Sequence, residues 1–170
     1  IIRGQFRFCG FFFFMFLYNL VFKLAFNKAI SGVGNMINIR AIRPKDFENW
    51  LVVYQYYADH YKIELNEKGI EATWSWLFAK EHPLKGIVAE QSNALIGLAH
   101  YRAMPSPLRG KDIGFLDDLI VVPENRGSDA ARMLLNELRI IAERECWGVI
   151  RWITKEDNYR ARSLYDQLAK

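Results

Sequence analysis

The stretch GFLDDLIVVPENRGSDAAR, residues 114–132, decides how the chain is interpreted, because it joins a strand, a turn and the start of a helix. An apolar strand carrying Asp117 and Asp118 runs into Pro123, and an Arg126-Gly127 turn leads into a long amphipathic pattern. The first turn of a helix presents backbone N–H groups without partners and a partial positive charge. A strand that feeds such a helix through a tight turn favours a bound phosphate. The stretch therefore predicts an anionic ligand beside carboxylates that could accept a proton.

Length and composition indicate one folded domain. The chain has 170 residues, of which 51% are hydrophobic and 25% charged, as is typical of a globular protein. The net charge of +4 comes largely from the first forty residues, and no basic run is interleaved with aromatics, which argues against nucleic-acid binding. The cysteines and histidines stand at spacings that predict no metal site (Cys9, Cys146, His60, His82, His100). Cysteine usage fits a reducing cytoplasm, and we expect Cys146 to be a buried small side chain.

The first 35 residues differ in composition from the rest of the chain. Residues 8–22 form an apolar run, shorter than the roughly twenty residues that a membrane-spanning helix needs. Three interpretations stay open: a secretory or membrane-anchoring leader preceded by Arg3 and Arg7, an apolar segment packed in the fold, or translated sequence upstream of the true start. We prefer the third, because an ordinary domain pattern begins abruptly at Met36. We therefore expect residues 1–35 to lie outside the native domain, with membrane association only if they are native.

From Met36 onward the hydrophobic periodicity changes repeatedly between that of strands and that of helices. A helix is expected to begin at Pro44, and Asn66 is a candidate cap for the next one. Residues 104–111 hold prolines and a glycine and predict a loop. We expect strands over 36–43, 86–90, 95–101, 113–122 and 147–154, and later helices over 66–80, 128–146 and 158–168. This order predicts a single mixed α/β domain.

With that order in place, residues 36–170 resemble the GCN5-related N-acetyltransferase (GNAT) superfamily. Residues 117–127, DDLIVVPENRG, look like the family's acetyl-CoA strand and turn, and residues 158–165, NYRARSLY, look like its Asn-x-x-Ala-x-x-Leu-Tyr signature. The opening IRAIRPKD at residues 39–46 adds a weaker match. Within the superfamily, the Leu-Asp-Asp-Leu strand is most similar to small-amine acetyltransferases of the diamine type.

The resemblance implies a mixed, mainly antiparallel sheet flanked by helices. Members of the family continue past the last helix into at least one further strand, whereas this sequence stops at Lys170. We therefore expect an acetyltransferase domain over 36–170 that lacks its final strand, because a truncated or frameshifted reading would end in this way. An unpaired edge would make it less stable than a complete relative, and it could leave the domain inactive.

The resemblance also assigns the binding of CoA. Leu119, Ile120 and Val121 would pair through their backbone with the pantetheine arm, although a plain core strand would also explain them. The pyrophosphate would face the Arg126 side chain and the backbone N–H groups of the following turn, unless the turn is merely a helix start capped by Ser128. Asp129 stands where the family has Gly, and its charge would repel the pyrophosphate by roughly 3–4 kcal/mol before salt screening. The N–H donors of this turn belong to Gly127, Ser128, Asp129, Ala130 and Ala131.

The resemblance places the proton chemistry on two residues. Asp117 matches the candidate general base that takes the proton of the amine, and Tyr165 matches the general acid that donates to the departing thiolate. Asp118 is adjacent to Asp117, so we expect it to point to the opposite face and to be structural. Asn158 would bond the pantetheine amide or simply cap the last helix. The plainer interpretations are a solvated or structural carboxylate and a core tyrosine.

The sequence thus predicts an N-acetyltransferase that moves an acetyl group from acetyl-CoA, without a metal, to a primary amine of a small molecule. Attack on the thioester would be direct, since no cysteine lies near the signature residues. An amine pocket would use several aromatic side chains, although most of them are equally suited to the core. The alternative is a truncated CoA-binding relic without activity. A homodimer is compatible with the sequence, and the candidate pocket residues are Tyr54, Tyr57, His60, Trp74 and Trp76.

Overall fold

The computed structural model describes the backbone of residues 2–7 together with residues 36–168. Within these ranges the strands form one six-stranded sheet in the order β1-β6-β5-β4-β3-β2. Strands β5 and β6 run parallel, and every other neighbouring pair is antiparallel. The elements are β1 (Ile2–Arg7), β2 (Asn38–Ala41), α1 (Phe47–Tyr61), α2 (Glu67–Phe78), β3 (Lys85–Gln91), β4 (Ala94–Ser106), β5 (Lys111–Val121), α3 (Ala130–Arg144), β6 (Val149–Thr154) and α4 (Tyr159–Leu168).

Helices pack on both faces of this sheet and divide the core into two layers. Trp50 of α1 is fully buried and donates a hydrogen bond to His100 of β4, so α1 covers the face on which His100 lies. On the other face Leu134 of α3 approaches so closely that a Cβ at Gly97 would lie 3.2 Å from it. The glycine therefore allows α3 to lie directly on the centre of the sheet.

Most element boundaries agree with the predicted pattern to within a few residues, but the predicted loop over 104–111 is wrong. Strand β4 continues through Ser106, and Pro105 lies opposite Asp112 of β5. Pairing with a neighbouring strand overrides the weak local preference of this segment. The connection shrinks to a turn over Pro107–Arg109, closed by Gly110 at a φ of +59°.

Two of the predicted details concern the ends of helices. The Asn66 side chain accepts a hydrogen bond from the N–H of Gly69, which confirms Asn66 as the cap of α2. Cys146, expected to be buried, is instead exposed in the turn after α3, with a φ of +55°. A helix that ends at Arg144 rather than at residue 146 leaves the cysteine outside the buried stripe.

The edge of β6 carries the backbone of β1. Residue pairs run from Ile2 opposite Thr154 to Arg7 opposite Val149 in an antiparallel ladder. The sequence predicts no strand in this segment, and it does not say which position in the sheet a missing final strand would take. The apolar run at residues 8–22 lies outside the described residues. Among the helices that are described, none is long and apolar enough to cross a membrane.

Candidate active site

A cleft opens where strands β5 and β6 separate. The two strands pair only where Gly114–Leu116 lie beside Ile150–Trp152, yet β5 continues to Val121. Beyond Leu116 the backbone of β5 therefore has a strand partner on its β4 side and, among the described strands, none on its β6 side. Backbone N–H and C=O groups left without a ladder are ready to pair with an extended ligand.

The cleft brings together four of the residues that the sequence assigns to catalysis or to CoA binding. Asp117 and Leu119 line it from β5, and Asn158 and Tyr165 line it from the other side. Ile120, Val121 and the turn over 126–131 are not among its lining residues. The remaining lining residues come from α1, β5, β6 and α4 and are Tyr57, Tyr61, Leu116, Trp152, Ile153, Thr154 and Ala161.

A β-bulge overturns the expectation that Asp117 and Asp118 point to opposite faces. His100 of β4 lies opposite Asp118, and Tyr101 lies opposite Leu116, so Asp117 is an extra residue in the ladder. A bulge interrupts the alternation of side chains and re-aims those beside it. Asp118 contacts His100 and Asp117 contacts Arg102, two residues further along β4. Both carboxylates therefore lie on the α1 side of the sheet.

Asp117 forms an ion pair with Arg102 at the mouth of the bulge. The Arg102 Nε–H group lies 3.1 Å from each oxygen of the Asp117 carboxylate. Burial raises the pKa of Asp117 above its ordinary value, although Arg102 opposes the shift. A carboxylate with a raised pKa is a better proton acceptor than an ordinary one.

Asp118 is held by a chain of buried hydrogen bonds. The Trp50 Nε1–H group donates to Nε2 of His100 at 3.0 Å, so this ring nitrogen carries no proton. The Nδ1–H group of His100 then donates to Asp118 at a nitrogen–oxygen distance of 2.7 Å. His100 is fully buried, and its ring cannot turn without breaking both bonds. Asp118 is therefore fixed in place, as expected for a structural carboxylate.

Tyr57 connects α1 to the bulge. Its hydroxyl donates to the backbone oxygen of Asp117 at 3.4 Å. Burial and the nearby charge of Asp118 raise the pKa of Tyr57 well above its ordinary value. The hydroxyl therefore stays protonated at neutral pH and remains a hydrogen-bond donor in the wall of the cleft.

Tyr165 lies on the opposite wall of the cleft, where it is buried. Its ring packs against Trp152 of β6 with the ring centroids 4.8 Å apart. Burial, with a smaller effect of Tyr61, raises the pKa of Tyr165 above its ordinary value. The hydroxyl is thus protonated at neutral pH, which is the state that a proton donor requires.

Asn158 serves as the cap of the last helix. Its Oδ1 accepts a hydrogen bond from the N–H of Ala161, and its Nδ2–H group donates to Thr154 Oγ1, both at 3.2 Å. The capping role that the sequence allows is therefore present. Because Asn158 also lines the cleft, the second N–H of its amide is the group with which it could contact a ligand.

The turn before α3 uses part of its hydrogen-bonding capacity internally. The Ser128 N–H group donates to Asn125 O, and the Ala130 N–H group donates to Ser128 Oγ. Gly127 has a φ of +96°, and a Cβ there would meet nothing within 4 Å, so the turn faces open space. Ala131 lies in the first turn of α3, where N–H groups have no partner within the helix.

Asp129 is exposed at the start of α3 and makes no capping hydrogen bond there. Its side chain is 78% exposed, and its nearest cation is Arg132, with 3.7 Å between Oδ1 and Nε. The side chain caps no N–H group of α3. The repulsion expected from a carboxylate close to an anion in this turn is therefore weakened by distance and by solvent.

The aromatic residues expected to form an amine pocket are divided between the cleft, the core and the surface. Of the five, Tyr57 alone appears among the residues that line the described cleft. Trp74 packs against Phe47 and Trp50, and Tyr54 packs against Trp50. The other two lie at the surface: Trp76 stacks on His82, and His60 lies beside Tyr61.

Three groups in or beside the cleft have no predicted role in the site, namely Tyr61, His100 and Arg102. Tyr61 could have been found, because it follows Tyr57 by four residues and so lies on the same face of α1. His100 and Arg102 carry no local signal for the site. Their roles depend on the register of β4 against a bulged β5.

Comparison with known proteins identifies the family. A model of the acetyltransferase (GNAT) family matches residues 50–169. The chain is 25% identical over 139 residues to the D-amino-acid N-acetyltransferase HPA3 of Saccharomyces cerevisiae, covering 81% of this chain and 86% of the relative. It is 29% identical over 133 residues to the N-acetyltransferase YhfO of Bacillus subtilis, whose function is uncharacterized, covering 77% and 87% of the two chains.

Solved structures agree with the architecture. A predicted acetyltransferase from Clostridium acetobutylicum, solved with acetyl-CoA, superposes with a TM-score of 0.66 at 20% identity, covering 79% of this chain and 90% of that one. A probable acetyltransferase superposes with a TM-score of 0.71 at 18% identity, covering 78% and 89%. These similarities concern the fold. Together with the family match and the relatives in sequence, they show that the chain belongs to the acetyltransferase (GNAT) family and is an N-acetyltransferase.

Proposed function

We propose that the protein transfers the acetyl group of acetyl-CoA to a primary amine of a small molecule, by direct attack of the amine on the thioester. One observation carries this proposal: β5 and β6 separate after Leu116, and the resulting cleft is lined by both Asp117 and Tyr165. A proton acceptor and a proton donor thus lie on opposite walls of one opening. That arrangement suits a reaction in which an amine loses a proton and a thiolate gains one.

The residues present fit a CoA molecule. The unpaired edge of β5 beyond Leu116 offers backbone groups to the amides of an extended pantetheine arm. The open turn at Gly127 and the N-terminus of α3 suit a pyrophosphate. Arg126, whose Nε–H group donates to Val121 O at 3.3 Å, is held beside that turn. The acetyltransferase of Clostridium acetobutylicum that shares this fold was solved with acetyl-CoA.

The chain's own residues would manage the protons of the reaction. Bound acetyl-CoA supplies a thioester carbonyl carbon, to which the amine nitrogen adds. Asp117 would take the proton from that nitrogen, directly or through water, as the new carbon–nitrogen bond forms. Tyr165 would give its proton to the sulfur as the carbon–sulfur bond breaks. Tyr57 and Tyr61 wall the acceptor side with rings that attract a cationic amine.

Direct attack is favoured by the position of the described cysteine. Cys146 is exposed in the turn after α3 and is not among the residues that line the cleft. A covalent acetyl-enzyme would need a nucleophile within reach of the thioester. Initial rates measured at several concentrations of both substrates should therefore give intersecting rather than parallel double-reciprocal lines.

Less specific features support the rest of the proposal. The yeast relative is named for a D-amino-acid acceptor, which is consistent with a small amine rather than a protein lysine. The sparing use of cysteine supports a cytoplasmic location. The self-association that the sequence allows would be tested by the mass of the chain in solution.

Calorimetric titration of acetyl-CoA into the full chain tests the first half of the proposal. Micromolar binding by a folded sample is expected, and a thiol-release assay with a panel of amines should then detect transfer. Binding without transfer to any amine would favour the inactive CoA-binding relic. A folded sample that binds neither acetyl-CoA nor CoA would overturn the proposal. Circular dichroism of the same sample distinguishes that result from an unfolded chain.

A further inference from the structure

Arg102 and Arg40 show how differently this chain uses two arginines. Arg40 makes five hydrogen bonds, to Asp46, Glu90 and the backbone oxygen of Ala41. Arg102 uses only its Nε–H group, which faces Asp117. Among the described residues, its two terminal nitrogens have no hydrogen-bond acceptor. A guanidinium has five donors, so most of the capacity of Arg102 is available to a ligand.

The free edge of Arg102 is held in position. Asp117 fixes the Nε side of the guanidinium, and the ring of Phe115 lies under it with 4.9 Å between the guanidinium carbon and the ring centroid. The side chain is 37% exposed, so solvent or a small molecule can reach it. Contacts on two sides lower the entropy that the side chain would lose on binding a ligand.

The place of Arg102 limits what it can bind. Its partner Asp117 is the residue proposed to take the proton of the amine, so the amine nitrogen must come close to this ion pair. A group that reaches the terminal nitrogens of Arg102 must therefore be joined to the amine by very few bonds. Two oxygens in one plane, as in a carboxylate, match the paired donors of a guanidinium.

We propose that Arg102 binds the carboxylate of an α-amino acid whose amine is presented to Asp117. In such a molecule one carbon carries both the carboxylate and the amine. The carboxylate would therefore face Arg102 while the amine faces the neighbouring Asp117. The inference rests on the proposed function and specifies its acceptor. It also revises the expectation of a diamine acceptor, because the second ammonium group of a short diamine would be repelled by Arg102.

The test compares amino acids with the amines that lack only the carboxylate. Rates of acetylation by the full chain would be measured for a panel of α-amino acids in both configurations, for their decarboxylated amines, and for putrescine and cadaverine. Each amino acid should exceed its own decarboxylated amine in kcat/KM. In the R102Q variant that ratio should fall roughly 10- to 100-fold, mainly through the KM of the amino acid, because a hydrogen-bonded charge pair is lost.

The ratio is the informative measurement because R102Q also removes the partner of Asp117. That second effect acts on amino acids and amines alike and cancels in the ratio. The R102K variant should recover part of the preference, since it restores the charge without the paired donors. The R144Q variant removes an exposed arginine that forms an ion pair with the next residue, Glu145. It is the control for net charge and should keep the wild-type ratio.

Two results would overturn the inference. One is a wild-type enzyme that prefers decarboxylated amines or diamines to amino acids. The other is an R102Q variant that loses kcat/KM equally for amino acids and for their decarboxylated amines. Either would still leave an active N-acetyltransferase and so would leave the proposed function intact. Absence of acetyl transfer to every compound, in a folded sample that fails to bind acetyl-CoA, would instead remove the proposed function and the inference with it.

Discussion

Two clusters of charge lie on the same sheet, one at its β2 edge and one on its central strands β4 and β5, and each has an arginine with carboxylates around it. At the β2 edge, Arg40 joins Asp46 and Glu90, and the side chains of Arg40 and Asp46 are 8% and 5% exposed. At the β5 bulge, the side chains of Arg102 and Asp117 are 37% and 26% exposed. The first cluster satisfies all its members and stabilises the fold, whereas the second leaves donors and acceptors available for a ligand.

The strands themselves explain this difference. At the β2 edge the antiparallel ladder brings Arg40 opposite Val88, so its side chain reaches Glu90 on one side and Asp46 on the other. At the second cluster a bulge inserts Asp117 into the ladder, and β6 separates from β5 just beyond it. The β3–β4 ladder also has a bulge beside Glu90, but β3 keeps a paired strand on each side there. At the second cluster the bulge coincides with the separation of β5 from β6, and a cleft results.

The largest effect should come from Asp117 in the open cluster. D117N keeps the shape and removes the proton acceptor, and we expect kcat/KM for the amine to fall about 1,000-fold. D118N is the matched control, because the amide oxygen can still accept the His100 hydrogen bond. We expect D118N to lower kcat/KM far less than D117N does. A larger loss in D118N than in D117N, measured by thiol release, would transfer the role of base to Asp118.

The pH dependence of the wild type sharpens the same assignment. A base acts only when deprotonated, and burial raises the pKa of Asp117 above that of an ordinary aspartate. The acid limb of kcat/KM should therefore lie at a higher pH than for an ordinary aspartate, with activity lost as pH falls. That limb should be absent from the residual rate of D117N. An acid limb that persists unchanged in D117N would assign it to another group.

In the closed cluster the expected effect is on folding. R40M leaves Asp46 buried without its cation, which should lower the free energy of unfolding by about 3 kcal/mol. R139M, which breaks the exposed ion pair of Arg139 with Glu143 on α3, should cost less than about 0.5 kcal/mol. Urea denaturation of both variants makes the comparison. Equal losses of unfolding free energy in R40M and R139M would show that the burial of Arg40 contributes nothing to stability.

Stability should also depend on pH through this cluster. Burial alone would raise the pKa of Asp46, but hydrogen bonds from Arg40 and from the N–H of Arg43 hold it below its ordinary value. Arg40 likewise lowers the pKa of Glu90. Carboxylates with a lower pKa in the folded state stabilise it above their unfolded pKa values, and this contribution is lost as pH falls through the folded ones. Acid should therefore destabilise R40M less steeply than the wild type.

Removing the hydroxyl of Tyr165 should have a smaller effect on activity than D117N. Y165F keeps the ring against Trp152, and we expect kcat to fall about 100-fold, the low end for a general acid, because a thiolate is already a fair leaving group. Y61F, on the facing wall of the cleft, is the control and should stay close to the wild type. An unchanged kcat in Y165F would show that the thiolate leaves without this proton.

The smallest effect is expected at the turn. Because the Asp129 side chain faces solvent and Arg132, D129G should change the Kd of acetyl-CoA by no more than about twofold. Titration calorimetry measures the change, and R126Q serves for comparison, since Arg126 is held beside the turn by Val121 O. A markedly lower Kd of acetyl-CoA in D129G would instead support the repulsion that the sequence predicts.

Much of the fold and part of the site were predictable from local sequence. The strand and turn over 114–132 and the last helix are where the sequence predicts them, because period and capping are properties of neighbouring residues. Asp117, Leu119, Asn158 and Tyr165 do line one cleft. The extension of β4 through Pro105 was not predictable, because only its pairing with β5 makes that segment a strand.

By itself the sequence determined the order of the elements from Met36 onward, the family, and which side chains could carry a proton or a phosphate. Tertiary structure alone decided that Asp117 and Asp118 share a face, that His100 fixes Asp118, and that Arg102 lies beside Asp117 with terminal nitrogens that meet no acceptor in the described part of the chain. The reason is physical: periodicity is set by residues a few positions apart, whereas register and bulges arise from contacts between distant strands. The proposed acceptor site therefore depends on a single extra residue in a ladder, which no local pattern reveals.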